Sequence, residues 1–173
     1  MNIYSIALFL HIVGALILFA MLGLEWVGLR QIRNAADSEQ VHAWLGVLNG
    51  ASKAGFPSMF ATVITGVYMM ATVWKWTAWL SVTVGALILM IVFARVAAPR
   101  LKMLGQSLVT GNDLLLWVSV QTRVAIVLGI VFLKIAKPDL AGSLLTVGAA
   151  IVLGIASALP ISRRARAHEA PTN

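Results

Sequence analysis

Cysteine is missing altogether from the 173-residue chain. Its absence excludes disulfides, thiolate metal sites, iron–sulfur clusters and covalently attached c-type haem. Charge is scarce as well: 11% of residues are charged, where soluble domains carry about 25%. Acidic residues are the scarcest of these, six against thirteen Lys and Arg. The chain has no phosphate loop, no Ser/His/Asp set and no zinc motif, so no catalytic set is expected and the reading leans away from an enzyme. What remains is apolar. At 60% hydrophobic, against roughly 45–50% in soluble domains, the composition is that of a membrane protein. The net charge of +7 invites a nucleic-acid reading, but the basic residues sit at the ends of apolar runs. Membrane orientation explains them there, and no nucleic-acid partner is expected.

The longest run, IYSIALFLHIVGALILFAMLGLEWVGL from Ile3 to Leu29, is interrupted only by His11 and Glu25. At about 1.5 Å per residue it reaches ~40 Å as a helix, more than the ~30 Å hydrocarbon core needs. No positive stretch precedes it and it is too long for a signal-peptide core, so it reads as a span. His11 and Glu25 are fourteen residues apart. Fourteen steps of about 100° return a helix almost to the same face. Gly14, Ala15, Leu18 and Leu22 lie on that face. A charge facing lipid is costly, so this face is expected to turn toward other helices.

Four further runs follow. The spans are expected at about 3–29, 57–74, 77–98, 114–136 and 140–159, in one all-α bundle covering 1–160. Between the first two, Asp37 or Ser38 caps a short helix near 38–49 with Val41, Trp44, Leu45 and Leu48 on one side. That pattern predicts an amphipathic helix lying in the membrane interface. Pro57 suits the first turn of the second span and Pro99 is expected to end the third. Asn112 or Asp113 caps the fourth, and residues 161–173 form a short, basic, frayed tail.

Positive charges fix an expected orientation. Arg30, Arg33, Lys53, Arg95, Arg100, Lys102, Arg163, Arg164 and Arg166 fall on one side, against Lys75, Lys134 and Lys137 on the other. Nine against three places the N-terminus outside and the C-terminus in the cytoplasm. Trp74, Trp76 and Trp79 then mark the outer interface, and Trp26, Trp44 and Trp117 the inner one.

Two polar sites follow from these depths. His11, ~12 Å below the outer end of its span, is the candidate axial ligand of a haem b, with Tyr68, Met69 and Met70 arriving at similar depth. No other metal site is expected. No second histidine lies in a span, since His42 falls in the surface segment and His168 in the tail. The alternative for His11 is a hydrogen bond to a neighbouring helix. At the cytoplasmic level Glu25 meets Arg95, Gln121 and Arg123 as a buried polar cluster. The cluster reads either as an ion-pair network, with Arg95 snorkelling, or as an anion or lipid site built on Arg123.

The stretches LHIVGA, SMFATVITGVYMM and ARVAAPRL resemble the CopD-like and HemJ-like small bacterial membrane proteins. The opening IYSIALFLHIVGALILFAMLGLEW and the stretch TRVAIVLGIVFLKIAKPDLAGSLL are most similar to a related family of uncharacterised five-span bacterial integral-membrane proteins. The resemblance implies a multi-pass protein of the bacterial inner membrane. Its HemJ-like branch implies haem binding at His11 with protoporphyrinogen oxidation, and its CopD-like branch implies copper import. The leading functional expectation is a non-enzymatic membrane component or accessory subunit, with the lipid bilayer and other membrane subunits as partners. The alternatives are a haem- or quinone-linked redox protein using His11, and a permease or anion- or lipid-binding protein using Arg123 with Glu25.

Overall fold

The computed structural model describes residues 2–73, 76–105 and 113–168, with side chains outside the description at 105 and 160–168. Five helices follow in order: α1 (Ile3–Asn34), α2 (Ser38–Thr72), α3 (Ala78–Gly105), α4 (Leu114–Ala136) and α5 (Leu140–His168). All five contain a span long and apolar enough to cross a membrane, and there is no strand among the described residues. The chain is a multi-pass, all-α membrane protein.

Local chemistry places the helix ends. Asn2 caps α1, accepting from the Tyr4 N–H, and Asp37 caps α2, accepting from the Gln40 N–H at 2.8 Å. Asp113 caps α4 through the N–H groups of Leu115 and Leu116. Each carboxylate or amide satisfies donors that the first helical turn leaves without a partner. Lys137 ends α4 with φ of 45°, and Asp139 accepts from the Gly142 N–H at the start of α5.

Two expected breaks do not occur. The segment at 38–49 is helical, but it is the first part of α2 and runs unbroken through Pro57 into the second span. Likewise α3 passes through Pro99 and continues to Gly105. A mid-helix proline loses one backbone hydrogen bond and strains the preceding turn. Packing on both sides outweighs that cost. Below Pro57, Leu48 sits against Gly28 of α1, where an added Cβ would lie 2.6 Å from its Cδ2. Above it, Ser58 and Thr62 cross Gly14, whose Cβ would come within 3.0 Å of the Ser58 carbonyl. An uninterrupted α1 therefore holds both halves of α2 in line. Around Pro99, Ala97 and Leu104 are both buried in the same core cluster.

The face of α1 carrying Gly14 and Leu22 is buried, as the small-residue stripe implies. At one end of the bundle all five helices contribute to a core of Leu29, Leu48, Ala97, Trp117 and Ala158 with their neighbours. Val41, Trp44 and Leu45 pack against this core, so the amphipathic face of 38–49 covers protein. Trp117 is 1% exposed, which removes it from the expected interfacial belt, and Arg33 stacks 5.1 Å over its ring. Trp79 is also buried, whereas Trp76 is exposed. Toward the other end a second cluster, Ala86, Ile126, Leu133 and Val147, joins only α3, α4 and α5. The close crossing of α4 and α5 depends on Gly154, where a Cβ would lie 2.5 Å from the Thr122 Cα. Ala150 meets Gly129 at the next contact, but Gly148 faces open space.

The expected cap at Asn112, the markers Trp74 and Lys75, and the side chains of Arg163, Arg164, Arg166 and His168 lie outside the described residues. The backbone of α5 continues as helix to His168, beyond the span end expected near 159.

Candidate functional site: two polar ties between α1 and α4

Glu25 and Arg123 form an ion pair through Arg123 Nη2 and Glu25 Oε1, joining α1 to α4. The guanidinium is the more enclosed partner, with 10% of its side chain exposed against 26% for Glu25. Arg123 Nε donates to the Ser119 carbonyl one turn back, at 3.3 Å. The Ser119 hydroxyl in turn donates to the Phe93 carbonyl of α3, at 2.9 Å. A continuous polar path therefore crosses α1, α4 and α3 within their apolar spans. In that setting each donor is best spent on a protein acceptor.

Arg95 and Gln121 do not join this pair. Arg95 is exposed on α3 and has no ion pair among the described residues, so Glu25 selects the deeper arginine. Gln121 is partly buried and makes no side-chain hydrogen bond among the described residues.

The second tie lies toward the opposite end. The His11 ring contacts α2, with Nδ1 2.9 Å from the Thr62 carbonyl. A carbonyl can only accept, so Nδ1 carries the proton and Nε2 the lone pair. Lys134 of α4 lies 3.4 Å from that Nε2 and donates to it. Thr65 Oγ1 is 3.4 Å from Nδ1, and the ring edge passes Gly66, where a Cβ would lie 3.2 Å from Cε1. A side chain at this position would push the imidazole back by a few tenths of an ångström.

Sequence reasoning missed Lys134, Ser119 and Thr62. Lys134 reads as an orientation marker at the end of its span. Its signal was present in the spacing: Lys134 follows Arg123 by eleven residues, and eleven steps of about 100° return to nearly the same face. Paired faces on α1 and α4 therefore carry two polar groups each.

Lys134 stands at the imidazole nitrogen that an iron would take. The Nε2 lone pair that would bind the metal already accepts from Lys134. Met69 is buried, but Thr62, Thr65 and Gly66 are the α2 residues that meet His11. Tyr68 and Met70 are partly buried, and neither hydrogen-bonds to His11 among the described residues. No group of three or more metal-ligating side chains occurs among the described residues.

Two concave surfaces lie away from these ties. A cleft of about 330 Å³ opens between α3 and α5, lined by Val82, Gly85, Ala86 and Leu89 opposite Leu144 and Val147. A shallow groove follows α5 past Ala141, Gly148 and Val152. Both surfaces are overwhelmingly apolar, and neither includes His11, Glu25 or Arg123. Comparison of this chain with protein-family models, with curated proteins and with solved structures found no match.

Proposed function

We propose that this chain is a non-enzymatic, multi-pass membrane component, an accessory subunit that contributes a helical surface to a larger assembly. The observation that carries this reading is the use of its intramembrane polar groups. Glu25 and Arg123 neutralise each other, and His11 is engaged on both nitrogens by Thr62 and Lys134. A permease built on Arg123 would need that guanidinium for its anion, and Glu25 already occupies it. A redox role at His11 would need the lone pair that Lys134 holds.

The open apolar cleft between α3 and α5 supports the same reading. In lipid, helices associate through close van der Waals packing, which a small exposed residue such as Gly85 permits. The resemblance to five-span bacterial proteins and the nine-to-three charge bias further support an inner-membrane location, N-terminus outside.

Gly85 and Gly148 both face open space, so each accepts a photoreactive side chain without disturbing the bundle. The expected result of irradiating native membranes is a discrete protein adduct of one mass from Gly85. Adducts with lipid alone at both positions, and a chain that migrates as a single species, would remove the accessory-subunit reading.

A further inference from the structure

The lipid-facing surface of α3 changes character along its length. Ile88, Ile91, Val92 and Val96 are all exposed, between 41% and 58%. Beyond Val92, Arg95 and Lys102 are exposed as well, with exposed Pro99 between them. The two cations are seven positions apart. At about 100° and 1.5 Å per residue they share a face within ~20° and stand ~10 Å apart.

Three other cations at this end of the bundle have partners, while Lys53 of α2 has no ion pair among the described residues. Arg100 pairs with Asp113 at 3.4 Å, Arg33 stacks on Trp117 and Arg30 on Trp26. Three carboxylates are committed too, Glu25 on Arg123, Asp37 at the start of α2 and Asp113 on both Arg100 and the start of α4, while Glu39 stands exposed in the first turn of α2. Arg95 and Lys102 have no ion pair among the described residues. Pro99 adds an acceptor: it has no N–H to give the Arg95 carbonyl four residues back, so that oxygen keeps a lone pair for an outside donor.

We propose that this stripe of α3 seats one anionic phospholipid, with its phosphate on Arg95 and Lys102 and an acyl chain along Ile88, Ile91 and Val92. The assignment rests on charge complementarity and on the order of the groups. Guanidinium and ammonium stand where a headgroup lies, and exposed aliphatic side chains continue from there into the hydrocarbon. Arg95 offers a planar fork to two phosphate oxygens, and its stem lets the charge reach the interface. A headgroup bearing hydroxyls, such as phosphatidylglycerol, also supplies the donor that the Arg95 carbonyl lacks. The inference depends on the chain crossing a membrane and not on its being an accessory subunit.

Native mass spectrometry of the purified full chain, released from nanodiscs of equal parts phosphatidylglycerol and phosphatidylcholine, tests this. The wild type is expected to retain one phosphatidylglycerol in preference to phosphatidylcholine. Arg95→Gln and Lys102→Gln should each lower that retention about fivefold, and the double variant more. Arg100→Gln should change it little, because Asp113 already holds that charge. Circular dichroism confirms that each variant is folded, and Lys102→Gln, at the helix end, serves alone if Arg95→Gln is not. Soluble glycerol 3-phosphate should leave the lipid in place. Equal retention of the two lipids, unchanged retention in folded variants, or displacement by glycerol 3-phosphate would each overturn the proposal.

Discussion

Gly154 and Gly148 sit on the same helix, yet the same substitution should affect them differently. A Cβ at Gly154 would collide with the Thr122 backbone, which cannot move without moving α4, whereas a Cβ at Gly148 meets nothing within 4 Å. Gly154→Ala is therefore expected to cost about 1–3 kcal/mol, the usual range for overpacking, and Gly148→Ala close to nothing. Thermal unfolding of the two variants in the same detergent checks this. The difference was not legible in the sequence, where Gly142, Gly148 and Gly154 look alike as a packing stripe. Which glycine meets a neighbour depends on the crossing point of α4 and α5, and no local pattern encodes it. The Glu25–Arg123 pair was half legible. Depth narrowed the partners of Glu25 to Arg95 and Arg123, but the choice between them needed the helix rotation that exposes Arg95 and buries Arg123. His11 was legible as a polar group facing protein; its link to Lys134 was not.

Helix elements were legible wherever a single local rule decided them. The limits expected for α4 matched the structure, with Asp113 as cap, and so did the start of α5. The prolines misled because their local rule competes with long-range packing. Pro57 looks like a helix start, and only the antiparallel contact with α1 makes it an interior residue. Caps give direct tests at this scale. Asp113→Ala removes two capping bonds and the Arg100 partner, so a loss of about 1–2 kcal/mol is expected in thermal unfolding. Lys137 holds a left-handed conformation that glycine adopts without cost. Lys137→Gly should accordingly raise the melting temperature, by an amount corresponding to about 1 kcal/mol. No change, or a fall, would mean that other contacts of Lys137 outweigh its backbone conformation.

The whole molecule is built as an α1–α2 hairpin joined to an α3–α4–α5 unit. At one end a five-helix core makes the connection, and toward the other His11 and Lys134 do. Orientation is the molecular property that the charge bias addresses. The absence of native cysteine makes single-cysteine labelling a clean test. A cysteine at Ser38 is expected to react with membrane-impermeant maleimide only after cell lysis, and one at Asp139 before it; the reverse pattern would invert the topology. The charges inside the bundle are spent on one another. A double-mutant cycle on Glu25→Leu and Arg123→Leu, read by thermal unfolding in nanodiscs, tests this most directly. Each single variant is expected to lose about 3–5 kcal/mol by stranding a charge, while the double variant recovers most of that loss. Losses that simply add, or single variants as stable as the wild type, would contradict the claim and return Arg123 to the list of ligand-binding groups.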